Sequence, residues 1–461
     1  MTETPVLPIV RIAVLAHGRI TDVAVPTELP LRELVPALTR LVPQPDDAGE
    51  PDLTPLTLAP IGGAPFSVDA SLDTVGIVDG DLLALQPVPQ QPTPVGVVED
   101  IADAAVIFSE ARRRPWGPAR LAVGARLAVA TLIVAVSAVA VAHRAGSPIA
   151  FALVSAVAVV AAGAALALRA RSSRIAGEIA ALALLPIAVA FALAVPGTWG
   201  PAHLMLAAAA VAAWSVIVLA QSEDRVAVFT AAGTVAAATL LVTAAATLWQ
   251  LPALTVGCLL IVLALLVTVS APQLAAVWAR FPLPVIPAPG DPIPSAAPDR
   301  VLADLPRRIR RGEAHQSGLI AAGVMLSVAG ALFVATTPGG PGTWGWYLIA
   351  ASTAAAVLRA RVWDTTACKA WLLSQPFGVC VGLLVIALVE GRLVAATWVL
   401  AVLAAVTAIW VLVAVSPDIA SAQRYSLPLR RLVGFAASAL DASLIPVAVY
   451  LIGIFSWVLD R

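Results

Sequence analysis

The sequence is poor in chemistry. Of its 461 residues only 12% are charged, and it holds three cysteines, four histidines and a single lysine, Lys369. Each scarcity excludes something. A phosphate-binding P-loop needs Gly-Lys followed by Ser or Thr, and the one lysine lies in Ala367-Cys368-Lys369-Ala370, so the chain is not a Walker-type ATPase. Cys258, Cys368 and Cys380 form no CxxC pair and the histidines stand far apart, so neither a disulfide framework nor a zinc site is expected. HExxH and GxSxG are missing as well. No catalytic residue, metal or cofactor is therefore expected. With a formal net charge of zero, no nucleic-acid partner is expected either. Met1 to Val10 lacks a basic stretch followed by an apolar one, so no cleaved signal peptide is read there and the N-terminal region is expected in the cytosol.

What is abundant is apolar helix. Hydrophobic residues make up 60% of the chain and the mean hydropathy is +0.93, more than a water-soluble protein of this length carries. Eleven spans are expected: Leu121 to Ala142, Pro148 to Leu168, Ile175 to Val195, Ala202 to Ala220, Val226 to Leu248, Pro252 to Ser270, Ser317 to Thr337, Trp344 to Leu358, Ala370 to Val389, Leu393 to Val415 and Leu432 to Leu459. About 20 residues at a rise of roughly 1.5 Å cross a hydrocarbon core of about 30 Å, and a helix satisfies its own backbone there. The runs are continuous rather than alternating, which excludes a barrel.

The arginines orient these spans. Arg112, Arg113, Arg114 and Arg120 precede the first; Arg169, Arg171, Arg174, Arg225, Arg280, Arg300, Arg307, Arg308, Arg310, Arg311, Arg359, Arg361, Lys369, Arg424, Arg430 and Arg431 fall on alternate connections of the same side. The other side holds only Arg144, Arg392 and Arg461. The positive-inside rule places the rich side in the cytosol, and an odd number of spans then places the C-terminus outside. A large cytosolic loop, Ala271 to Gln316, divides six spans from five. Pro-Gly-Thr-Trp-Gly occurs at both 196–200 and 341–345, which hints at an internal duplication.

Before the spans comes a small α+β head, residues 1–90. Val10, Ile12 and Val14 alternate with Arg11, Ala13 and Leu15, His17-Gly18-Arg19 turns the chain, and Ile20 to Val25 returns as a second strand. Leu31, Leu34, Val35, Leu38 and Leu41 recur at helical spacing, with Pro36 early in that helix. Leu53 to Ala59, Phe66 to Val68 and Asp81 to Gln86 are read as further strands. Residues 91–120 follow as a cytosolic linker. Prolines lead it, Val97 to Arg113 has amphipathic periodicity, and Arg112, Arg113, Arg114 and Trp116 form a candidate anchor to anionic lipid or a partner.

Charge inside the spans is rare. Arg126 lies where it can snorkel to the interface, Glu178, Glu390 and His203 sit near span ends, and Asp441 lies within the eleventh span. An intramembrane carboxylate suggests a proton-coupled secondary transporter with a regulatory head, Pro446 breaking the helix nearby. The competing reading is a structural Asp441, hydrogen-bonded to a neighbour, facing a wet cavity, or marking where a longer helix emerges from the cytosolic interface. Spans rich in Ala, Gly, Ser and Thr suit a body that packs closely on itself.

The order β-β-α-β-β-β, with Leu72 set to dock under the helix and Gly76-Ile77-Val78-Asp79-Gly80-Asp81 before the last strand, resembles a ubiquitin-like β-grasp domain. Joined to a linker and eleven spans, it resembles the EccD family, the multispanning membrane subunit of the type VII (ESX) secretion system of mycobacteria. That resemblance implies a non-enzymatic scaffold in the inner membrane, paired as a homodimer. It implies a head and linker that dock an FtsK-like ATPase of EccC type, with EccB-type and EccE-type subunits completing the assembly.

Overall fold

The computed structural model describes residues 8–16, 19–41, 56–88, 118–143, 148–281, 299–416 and 427–455. They fall into two compact units, Met1–Trp116 and Gly117–Arg461.

The first unit is a four-stranded sheet carrying one helix. Strands β1 (Ile9–Ala16), β2 (Arg19–Pro26), β3 (Leu56–Pro60) and β4 (Leu82–Pro87) lie in the order β2-β1-β4-β3, and β1 and β4 run parallel at the centre. The alternation in β1 decides which face is buried: Val10, Ile12 and Val14 turn inward, opposite Val25, Val23 and Thr21 of β2. Helix α1 (Leu31–Leu41) presses Leu31, Leu34, Val35 and Leu38 onto that face, where they meet Leu58, Leu72 and Leu83. Leu41, expected on the same stripe, is exposed at the end of the helix.

The turn before β4 shows why its sequence is needed. Gly76 and Gly80 stand at φ of 75° and 93°, where a side chain would strain the backbone. Asp79 Oδ1 accepts the Arg11 backbone N–H at 2.7 Å and Asp81 Oδ2 accepts that of Val78 at 2.9 Å. Gly80 N–H donates to the Arg11 carbonyl, so the turn begins the β1–β4 pairing before β4 itself starts. The expected strand at Phe66 to Val68 does not form. Phe66 N–H reaches the Leu58 carbonyl and Val68 accepts from Arg32, but these are single bonds without a ladder. The observed order is thus β-β-α-β-β.

The second unit is helical. It comprises α2 (Pro118–Ala142), α3 (Pro148–Leu168), α4 (Ser173–Leu193), α5 (Pro201–Gln221), α6 (Val226–Trp249), α7 (Ala253–Trp278), α8 (Asp299–Ala335), α9 (Gly342–Arg359), α10 (Thr366–Val389), α11 (Leu393–Val415) and α12 (Leu427–Ile452). Among the described residues, ten of these are long and apolar enough to cross a membrane. The eighth expected span forms α9 but is not one of the ten. It has 18 residues, opens on Gly342, Trp344, Gly345, Trp346 and Tyr347 and closes on Arg359. Length and composition alone thus mark ten candidate spans among the described residues and leave α9 below that criterion.

The divide between the two sets of spans is also tighter than expected. Helix α7 runs on to Trp278 and α8 starts at Asp299, so the expected loop from Ala271 is largely helix at both ends. The 37 residues of α8 reach roughly 55 Å, well beyond a hydrocarbon core of about 30 Å. Its arginine-rich first turns thus project from the bilayer on the basic side.

Helix α8 is the axis of this unit and packs against α6, α7, α9 and α10. Its contact with α7 is glycine on glycine. A Cβ on Gly257 would lie 2.7 Å from the Gly330 carbonyl oxygen, and one on Gly330 2.7 Å from that of Gly257. Without side chains the two backbones meet, as small residues allow in lipid, where no hydrophobic force drives helices together. The two copies of the repeated pentapeptide differ in local structure. Gly200, closing the first copy, is the extended cap before α5, whereas Gly342 to Gly345 of the second are already the first turn of α9.

Candidate functional site: paired charges in the membrane body

Glu178 and Asp441, two of the charges expected within the spans, are each joined to an arginine of another element. Glu178 on α4 takes Arg126 of α2 at 2.9 Å and Arg225, the residue preceding α6, at 3.1 Å. Arg126 therefore turns to a carboxylate rather than snorkelling as a lone cation. Asp441 on α12 pairs with Arg359 at the end of α9, both side chains mostly buried. Nearby, Tyr347 and Ser443 join the same two helices at 2.8 Å. Helix α12 runs through Pro446 without a break, since the packing against α9 and α7 holds the turn that lacks an N–H donor. Each of these pairs joins two elements of the body through one shared charge and so acts as a clamp between them.

Gln375 on α10 was not singled out by its sequence, yet its buried side chain joins three helices. Its amide donates to Ser327 Oγ of α8 at 2.9 Å and to the Ser352 carbonyl of α9 at 3.3 Å. The available signal was an amide in the middle of an apolar helix, where it must find partners. His203, expected at a span end, accepts the Gly200 N–H through Nδ1 at 3.3 Å and stacks on Trp199, capping α5. Glu390 pairs with Arg392 in the connection after α10.

On the basic side, the connection between α5 and α6 latches the projecting turns of α8. Arg307 donates two bonds to Glu223, at 2.8 and 2.6 Å, and Arg311 approaches it to 3.5 Å. The Arg307 hydrogen bonds hold the Glu223 carboxyl below its ordinary value, against the opposing pull of burial. Arg308 bridges Asp304 at 2.7 Å and the Arg280 carbonyl at 2.6 Å, tying α8 to the end of α7.

Among the described residues, no three or more His, Cys, Asp or Glu gather as metal ligands, and the three cysteines are buried and separate. Two apolar hollows are present. One of about 470 Å³ lies between α4, α5, α6 and α8; the other, about 620 Å³, lies between α9, α10 and α11, against Ile349, Val379, Leu383, Trp398 and Val402. Such walls accept hydrocarbon and give a polar solute little to bind. Arg112, Arg113, Arg114 and Trp116 lie outside the described residues.

A β-grasp head and an apolar helical body whose charges clamp helices define a multi-pass membrane protein built on packing. Two family models match it: the EccD-like transmembrane domain over residues 120–460, and protein YukD of the WXG100 protein secretion system over residues 9–85. The chain belongs to the EccD family. It is 55% identical to the ESX-3 secretion system protein EccD3 of Mycolicibacterium smegmatis, over 100% of both chains. It is equally similar to that of Mycobacterium tuberculosis, over 99% of each. Among solved structures it resembles protomer 1 of the ESX-3 core complex, with 54% identity, a TM-score of 0.69, and 98% of this chain and 100% of that one covered. A second likeness, to the ESX-5 inner membrane complex, has 21% identity and a TM-score of 0.56 over 90% of this chain and 99% of that one, and bears on fold alone.

Proposed function

We propose that this chain is a non-enzymatic structural subunit of an ESX-3-type secretion complex in the inner membrane. The observation that carries the proposal is similarity along the whole chain, at 54% identity, to a protomer of the ESX-3 core complex. The clamped charges at Glu178 and Asp441 fit a body that holds its shape rather than one that cycles protons. In this reading α9 is the eleventh span, residues 1–90 and the linker 91–120 face the cytoplasm, and the C-terminus lies outside. Arg112, Arg113, Arg114 and Trp116 anchor the linker at the membrane surface. Two copies pair, and the head and linker dock the FtsK-like ATPase of EccC type, with EccB-type and EccE-type subunits beside them.

Deleting residues 1–90 tests the docking role. The ATPase should then be lost from the purified complex while the helical body remains inserted. Full retention of the ATPase would contradict it.

A further inference from the structure

Three guanidiniums meet one carboxylate at the basic end of the helical unit. Besides Arg126 and Arg225, Arg174 Nε stands 4.0 Å from Glu178 Oε1. Glu178 is only 14% exposed, whereas Arg126, Arg174 and Arg225 are 45%, 70% and 42% exposed. The carboxylate is thus the inner floor of the cluster and the guanidiniums are its open rim. Arg225 is held there at φ 53°, a left-handed conformation uncommon outside glycine, because α6 starts immediately after it.

The corner carries more positive charge than its own acids neutralise. Asp224 is the second carboxylate at hand, its Cβ 3.1 Å from where a Cβ on Gly177 would stand. Arg169, bonded to Gln221 at 2.6 Å, borders the same corner beside Gly177 and Ser222. Four guanidiniums therefore face two carboxylates. Each guanidinium has five N–H donors, more than Glu178 can occupy. At the edge of a hydrocarbon layer such an excess favours an anion with several acceptor oxygens, and planar guanidiniums suit a phosphate. Leu121, Val123 and Leu127 on α2 are exposed on either side of Arg126, so an anion bound here meets apolar surface as well as charge.

We propose that Arg126, Arg174 and Arg225, braced by Glu178, bind the phosphodiester of an anionic phospholipid whose acyl chains lie along α2. Zwitterionic lipid shares the phosphate but adds a cation that this corner repels, which sets the selectivity.

Native mass spectrometry of the full-length protein in mild detergent, titrated with phosphatidylglycerol or phosphatidylcholine, tests the site. Phosphatidylglycerol should be retained about tenfold better, and Arg126→Gln/Arg174→Gln should abolish that preference while the Arg225–Glu178 pair still ties α4 to the start of α6. Arg174→Gln alone, which leaves both short ion pairs intact, should weaken retention severalfold, so the site remains testable if the double variant unfolds. Arg361→Gln/Lys369→Gln removes equal charge from the α9–α10 connection and the first turn of α10, elsewhere on the basic side, and should leave retention unchanged. Equal loss from both double variants would overturn the proposal in favour of diffuse attraction. Unchanged retention in Arg174→Gln and the cluster double variant, or no lipid preference in the wild type, would also overturn it. Inorganic phosphate in excess should not displace the lipid; complete displacement would mark a free-phosphate site and overturn the lipid assignment.

Discussion

Helices α8 and α11 are both long and apolar enough to cross a membrane, yet 67% of the most apolar stretch of α8 is buried within the chain and 0% of that of α11. Hydropathy does not separate them; glycine does. Gly318, Gly323 and Gly330 bring α8 against the backbones or short side chains of α6 and α7, with a Cβ on Gly318 only 2.4 Å from the Ala227 carbonyl oxygen. Helix α11 has no glycine, packs chiefly on α10, and leaves Trp398, Ile409 and Leu412 exposed. Bulky side chains hold neighbours away and suit lipid, whereas glycine lets a helix approach its neighbours closely.

Breaking the α7–α8 contact should have the largest effect. Gly330→Leu drives a side chain into the Gly257 backbone, which cannot give way as a flexible side chain would, and should cost more than about 3 kcal/mol. Thermal unfolding in detergent measures it, and an unchanged midpoint would mean that the two helices are not in contact. Asp441→Ala should cost about 2 kcal/mol by leaving Arg359 mostly buried without its partner, and Arg359→Leu/Asp441→Leu should recover much of the loss.

The latch on α8 should matter less, because Glu223 and Arg307 are half exposed. Glu223→Gln is expected to cost under about 1 kcal/mol and to speed amide exchange in the first turns of α8. Since the Glu223 carboxyl is held below its ordinary 4.5, its contribution is full at neutral pH and fades as pH falls below about 4.5 through the folded value. A pH series on Glu223→Gln should lack that component. The smallest effect is expected on α11: Trp398→Ala should change the stability of the isolated chain by no more than about 0.5 kcal/mol. A large loss there would show that the chain covers α11 after all.

Periodicity made the elements legible, and it did so where one rule acts alone. In β1 the alternation of Val10, Ile12 and Val14 marks the buried face, and long apolar runs mark α2 to α8 and α10 to α12. It failed where a rule competes with another. Phe66 to Val68 has strand-like residues, but its backbone bonds are divided between β3, through Phe66 N–H to the Leu58 carbonyl, and α1, through Arg32 N–H to the Val68 carbonyl. The reach of α7 and α8 beyond the bilayer was hidden because hydropathy ends before the helix does. The clamps were not legible as pairs. Arg359 and Asp441 stand 82 residues apart, and Glu223 and Arg307 84 apart, so their meeting depends on helix order rather than local pattern. Asp441 was visible as a misfit in an apolar helix; Gln375, being neutral, was not.

The most direct test of the structural role is the native mass of the complex recovered on a C-terminal tag in mild detergent, with every co-purifying chain identified. The account predicts a large assembly holding an FtsK-like ATPase and two copies of this chain for each ATPase. A lone monomer or dimer that drives proton-dependent solute flux in liposomes would contradict it.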